Sequence, residues 1–241
     1  MMQSPSQPST STAAIIRDGF AVVSGVLSVS EIEEVLAALE QAEISRSRRG
    51  GAVYGGRNLL DLPAVAALAA SPAIRRLVEP IVDPDPIAVR ALFFDKTPQA
   101  NWPVLWHQDL SLAIAEQHEL DGWGPWSTKA GVLHVQPPVP ILEAMLAVRL
   151  HLDACSADNG PLRVLPGSHL LGRLRRDQIA AQRQAVDEIA CEAQAGAALL
   201  MRPLLLHASS LARAPTHRRV IHIEFAPREI LPSPLAWAQA A

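Results

Sequence analysis

The chain has 241 residues, 49% of them apolar and 19% charged, with a net charge of −3. That length suits one large domain or two small ones, and the near-neutral balance argues against a nucleic-acid binder built on a basic stripe. Twenty prolines and 13 glycines argue against a helix bundle, and two cysteines, Cys155 and Cys191, are too few for a disulfide scaffold or a tetrahedral cysteine–zinc site.

The opening residues, MMQSPSQPSTSTA, have no apolar segment of the kind a secretory signal needs, and residues 1–13 are expected to be a disordered tail. No run approaches the roughly 18 apolar residues that span a bilayer; the best, Ala197–Leu206, is cut by Arg202 and Pro203. With two free thiols, the expectation is a cytoplasmic protein without a membrane partner.

A short helical start leads into the turn Asp18-Gly19 and the β-rich Phe20–Val23. Ser28 followed by Glu31 forms a capping box and opens a helix over Ser28–Ala42, with Ile32, Val35, Leu36 and Leu39 as its buried stripe. Arg46, Arg48 and Arg49 with Gly50, Gly51, Gly55 and Gly56 read as a loop. Two short helices follow, Leu62–Ala70 and Pro72–Val82, the second capped by Ser71 and opened by Pro72. Strands are expected at Ile87–Lys96, Leu105–Leu110, Met145–Asp153, Leu162–Leu165, Ala197–Leu206 and Arg218–Ala226, with one helical interruption over Leu174–Glu192. A helical N-terminal third followed by antiparallel strands predicts a mainly β fold, helices packed on a jelly roll or sandwich in a single domain from residue 14 to 241.

Two His-x-Asp triplets stand out, His107-Gln108-Asp109 and His151-Leu152-Asp153. Eight histidines and 11 aspartates would meet at this spacing by chance about 0.4 times, so one triplet alone is weak. On a strand, alternate residues share a face, so either triplet could aim an imidazole and a carboxylate at one ion. One more histidine would complete a two-histidine, one-carboxylate facial triad, which leaves iron with open coordination positions. The first triplet ends a strand and precedes a long loop, and about 100 residues later His207-Ala208-Ser209 again follows an apolar run, with Arg218 eleven residues beyond His207.

The ordered set HQDL, NGPLRVLPGSH, His-x-Ser and Arg at plus eleven resembles the phytanoyl-CoA dioxygenase family of Fe(II)/2-oxoglutarate oxygenases. The opening DGFAVV and the helix after it share the resemblance, which covers about residues 14–227. The resemblance implies a double-stranded β-helix (jelly-roll) core in which His107, Asp109 and His207 hold Fe(II). It also implies that Arg218 pairs with the distal carboxylate of 2-oxoglutarate while Ser209 hydrogen-bonds the same group, with O2 as second cosubstrate. A guanidinium fork suits a carboxylate, and two imidazoles with one carboxylate suit Fe(II). Arg219 adjoins Arg218. Parity groups Arg218 with Val220, His222 and Glu224, opposite Arg219, Ile221, Ile223 and Phe225, and the family's spacing favours Arg218.

The expected reaction is hydroxylation of an unactivated C–H of a small metabolite, with release of succinate and CO2. Related halogenases lack the carboxylate that Asp109 provides. Desaturation, epimerisation and ring formation share the same iron set. The rival readings are an inactive jelly-roll protein and a cupin-like metalloprotein that does not use 2-oxoglutarate. Residues 111–142 read as a lid that selects substrate. Its Trp123, Trp126, Lys129, His134 and Gln136, with Arg57 and Arg149 elsewhere, are the candidate substrate contacts. His169 reads as a loop-fixing hydrogen bonder, and His217 and His222 as surface or strand histidines. No nucleic-acid partner is expected, and the oligomeric state and substrate are open.

Overall fold

In the computed structural model, residues 10–42, 45–49 and 52–241 are described. Helix α1 spans Thr10–Asp18 and strand β1 Phe20–Val23. The helix begins inside the stretch expected to be a tail. Ile15, fully buried, and Thr12 anchor it, so docking of an apolar face overrides the weak helix propensity of Ser and Thr. Helix α2, Val29–Gln41, carries the expected capping box: the Glu31 N–H donates to Ser28 Oγ (3.3 Å) and the Ser28 N–H to Glu31 Oε2 (2.7 Å).

The arginine- and glycine-rich segment expected to be a loop is a hairpin, β2 (Ser45–Arg49) and β3 (Ala52–Arg57). Gly50 and Gly51 lie outside the described residues. Helices α3 (Pro63–Ala69) and α4 (Pro72–Val78) follow, the latter capped by Ser71, and α4 stops four residues before the expected end. Strand β4 is Pro86–Asp95. Its edge explains the hairpin, because Gly55 and Gly56 pair with Phe94 and Phe93 there, and pairing with a formed edge outweighs low strand propensity.

Strand β5 is Val104–His107. Within the expected lid lie β6 (Leu112–Ile114), β7 (Trp126–Lys129) and β8 (Val132–Val135), followed by helix α5 (Val139–Glu143). The strands join as a three-stranded sheet in the order β6-β8-β7, so much of this segment is ordered sheet; three or four residues per strand are too few for visible periodicity. Strands β9 (Leu146–His151) and β10 (Leu162–Val164) precede helix α6 (Arg176–Ala185), shorter than expected, and β11 (Ile189–Cys191). The run expected as one strand over Ala197–Leu206 is β12 (Ala198–Met201) and then a turn, in which the Leu205 N–H donates to Arg202 O (3.0 Å). Pro203 has no N–H for a ladder, and the chain there crosses to β13 (His207–Ser209) in the other sheet. Strand β14 is Arg219–Pro227.

Two antiparallel sheets face each other, ordered β1-β12-β9-β14-β4-β3-β2 and β11-β10-β13-β5. This is a jelly-roll core with helices outside it. The larger sheet presents Leu146, Val148, Leu150, Ile221, Ile223 and Phe225 to α1–α4, forming the main apolar core. Its other face looks into the barrel. Leu162, Val164, Leu199, Met201 and Leu205 pack as a separate apolar cluster between the sheets. Among the described residues no helix is long and apolar enough to cross a membrane.

Candidate metal centre and its basic pocket

His107 ends β5 and His207 begins β13, and the two are register partners across the smaller sheet. Asp109 follows two residues later, its N–H held by Pro203 O at 2.9 Å. Between His107 and Asp109, Gln108 points the other way. Its Nε2 donates to Gly172 O (2.8 Å) and Leu204 O (2.7 Å), and its Oε1 accepts from the Leu174 N–H (2.8 Å). Gln108 therefore ties the loop after β5 to the turn before β13, and so fixes Asp109 against His207.

Asp109 Oδ1 is 3.8 Å from His107 Nε2, and Oδ2 is 3.7 Å from His207 Nε2. The imidazole centroids are 4.2 Å apart. Each Nδ1 faces a carbonyl of its own strand, Leu105 O at 2.7 Å and Leu205 O at 2.9 Å. A carbonyl only accepts, so Nδ1 carries the proton and the Nε2 lone pair is free. Burial pulls His207 down to about 4, which keeps it neutral at pH 7. Burial works against the Asp109 charge, but electrostatic attraction to the neighbouring His207, His222 and His107 rings and to Arg90 holds its carboxyl well below the usual range. Two neutral nitrogen donors and one carboxylate thus converge, and an ion between them asks for side-chain movements of roughly 1 Å. The donor set fits a divalent metal, and it is the one such group of three among the described residues.

The rival triplet diverges. His151 is buried and pushed down to about 3 by burial and by Arg149 and Arg218, whereas Asp153 takes both Nε (2.9 Å) and Nη2 (2.7 Å) of Arg219. That pairing also separates the two adjacent arginines, because Arg218 lines the cavity of the metal cluster instead. Arg218 is 4% exposed, its guanidinium donates to Gly160 O, and its Nε has no partner. Gly160 has φ +62°, and a Cβ there would lie 2.8 Å from Ser210 O, which is why the turn needs glycine.

Beside Arg218, Ser209 is buried and its Oγ accepts from Lys96 Nζ at 3.0 Å. Lys96 is itself fully buried and also donates to Ser210 O (2.5 Å). Burial and the Arg218 charge bring its ammonium down to about 7. Arg149 lies over the Phe94 ring (5.6 Å) and donates to His222 Nδ1 at 3.2 Å. His222 Nε2 then faces Glu224 Oε1 (3.5 Å), which Arg90 pairs at 2.6 Å. Strand register sets this floor, with His222 opposite Arg149 and Leu92, and Glu224 opposite Arg90.

The structure therefore gathers His107, Asp109, His207, Ser209, Arg218 and Arg149 around one cavity. Arg57, Lys129 and His134 line a second, narrower one that shares Arg90 and Leu92 with the first. Trp123 and Trp126 pack on the apolar cluster of the small sheet. Gln136 bonds the chain at Gly124 and Pro125 through its backbone. None of these three lines either cavity. His169 fixes a loop as expected, with Nε2 3.3 Å from Ile16 O. Lys96, Gln108, Arg90, His222 and Glu224 were not among the expected site residues. Strand parity with Arg218 does put His222 and Glu224 on the pocket face, and Gln108 on the face opposite its neighbours.

Facing antiparallel sheets with a two-histidine, one-carboxylate cluster in the cavity between them define the double-stranded β-helix class. The chain belongs to the phytanoyl-CoA dioxygenase family, whose model matches residues 15–220. No curated protein matches it. Among solved structures it is similar to AviO1 from Streptomyces viridochromogenes Tue57, with 20% identity over 93% of this chain and 96% of that one and a TM-score of 0.66. It is similar to SnoN, described as a non-heme alpha ketoglutarate dependent epimerase from nogalamycin biosynthesis, with 20% identity over 94% and 90% and a TM-score of 0.64. It is also similar to EctD from S. alaskensis, with 18% identity over 94% and 79% and a TM-score of 0.70.

Proposed function

We propose that the protein is a non-haem Fe(II)- and 2-oxoglutarate-dependent oxygenase that hydroxylates an unactivated C–H bond of a small molecule. The observation that carries this is the placement of three converging metal donors beside a buried basic end centred on Arg218. His107, Asp109 and His207 would hold the iron. Arg218 would take the distal carboxylate of 2-oxoglutarate, and Ser209, fixed by Lys96, would hydrogen-bond the same group. Iron and 2-oxoglutarate, when bound, supply the oxidising power, with O2 consumed and succinate and CO2 released. The chain's part is to hold the donors neutral or singly charged, to neutralise a dianion and to exclude water.

Similar structures are described with Fe3+ and alpha ketoglutarate (SnoN) and with 2-oxoglutarate and 5-hydroxyectoine (EctD). They support the cofactor reading. SnoN is described as an epimerase and SnoK as a carbocyclase, outcomes that use the same donor set; Asp109 speaks against halogenation alone, and hydroxylation is the reading we favour among the rest. The test is 2-oxoglutarate binding by Arg218→Ala in the metal-loaded protein. The dissociation constant is expected to rise at least about 30-fold, the scale for losing one partner of a buried charge pair. Unchanged binding would point to a metalloprotein that uses no 2-oxoglutarate.

A further inference from the structure

The cavity of the metal cluster holds a second buried guanidinium besides that of Arg218. Arg149 is 9% exposed and reaches the cavity from β9, in register with His222 on β14. The Phe94 ring and His222 Nδ1, which accepts from Arg149 Nη1 at 3.2 Å, fix its plane. Both are neutral partners, so neither cancels its charge, and Nε has no partner at all. Among the described residues no carboxylate pairs with Arg149. Glu224 is taken by Arg90 at 2.6 Å and Asp153 by Arg219 at 2.7 Å. Asp109, whose field does reach Arg149, belongs to the metal donors. Burial and Arg218 pull the guanidinium down to about 10, so it is still charged at pH 7. A buried charge left in this way is costly unless a ligand brings the opposite sign. Arg149 is also close enough to both ends of the site for charge to count at each: its field is felt at His207, and that of Arg218 is felt at Arg149. The cavity measures about 160 Å3, where one water takes roughly 10–15 Å3, so a small dianion has room in it.

We propose that Arg149 binds the C1 carboxylate of 2-oxoglutarate, the end that meets the metal, while Arg218 binds the distal carboxylate. Two carboxylates then meet two buried guanidiniums, and the cosubstrate is held by charge at both ends. Phe94 and His222 are positioning residues for the first of these contacts. Arg149, expected among the substrate contacts, is on this account a cosubstrate residue. The inference rests on the oxygenase reading and adds which side chain recognises the metal-bound end.

The test uses the full chain loaded with Zn(II), so that nothing turns over, and reads binding by ligand-observed NMR. The probes are 2-oxoglutarate, 2-oxopentanoate, which lacks the distal carboxylate, and 4-oxopentanoate, which lacks the C1 carboxylate. Arg149→Gln should weaken 2-oxoglutarate and 2-oxopentanoate about 10-fold or more, the scale of a lost charge-assisted contact, and leave 4-oxopentanoate within about 2-fold. Arg218→Gln should do the converse, weakening 2-oxoglutarate and 4-oxopentanoate and sparing 2-oxopentanoate. Arg149→Lys keeps the charge without the fork and is expected to show the Arg149→Gln pattern at smaller size; it carries the comparison if Arg149→Gln does not fold. A purely structural role for Arg149 would weaken all three probes alike. That result, or unchanged 2-oxopentanoate binding in the folded variant, overturns the inference while the Arg218 half of the pattern still upholds the oxygenase reading. Failure of 2-oxoglutarate to bind the metal-loaded parent would overturn the oxygenase reading and this inference with it.

Discussion

Single residues in this site are defined by what they are tied to. His107 and His207 are able to act as ligands because strand carbonyls at Leu105 and Leu205 accept from their Nδ1–H groups and leave Nε2 free. Lys96 shows the same logic at the basic end. Packed beside Arg218 with no acid bonded to it, its ammonium titrates near 7. An anion on Arg218 and Ser209 favours the charged form, so the bound state holds more protons above pH 7. Affinity for 2-oxoglutarate should therefore be flat below pH 7 and fall above it, by up to about 10-fold per pH unit for one proton. Lys96→Met should flatten that slope while keeping the buried volume. A pH titration by calorimetry reads both, and an equal slope in the variant would contradict this role.

At the scale of elements, β14 does two jobs through one alternation. Ile221, Ile223 and Phe225 pack on the helices, while Val220, His222 and Glu224 face the barrel with Arg218. Ile223→Ala should cost about 2–5 kcal/mol of stability, measured by urea unfolding, with the metal and 2-oxoglutarate sites retained in the folded fraction. Ile15→Ala tests α1 in the same way, and a loss below about 0.5 kcal/mol would mean that the helix does not dock as a structural part. This alternation was legible in the sequence, as were the Ser28 capping box, the helix start at Pro72 and the end of β5 at His107; His207, expected at the end of a strand over Ala197–Leu206, instead opens β13. The β2–β3 hairpin was not, because Gly55 and Gly56 become strand only by pairing with Phe94 and Phe93, far away in sequence. Nor was the small sheet, whose strands are too short to show a period. Trp123 and Trp126 looked like substrate contacts by composition, yet they pack on that sheet; composition alone does not distinguish a cavity wall from a local core.

Taken whole, the molecule is a jelly roll whose larger sheet buries an apolar core under the helices on one face and lines the cavity of the metal cluster with the other. The residue types of the metal cluster were readable from spacing and family resemblance. Their convergence depends on a fold that pairs His107 with His207 across one hundred residues and on Gln108, which no motif logic singles out. The most direct measurement of the central claim is 2-oxoglutarate-dependent succinate formation by the full chain with Fe(II), ascorbate and O2, compared with Asp109→Ala of equal fold by circular dichroism. Succinate released by the parent and lost at least about 100-fold in the variant is the predicted result. Equal turnover by the two proteins, or none by a well-folded parent that binds no metal, would contradict it.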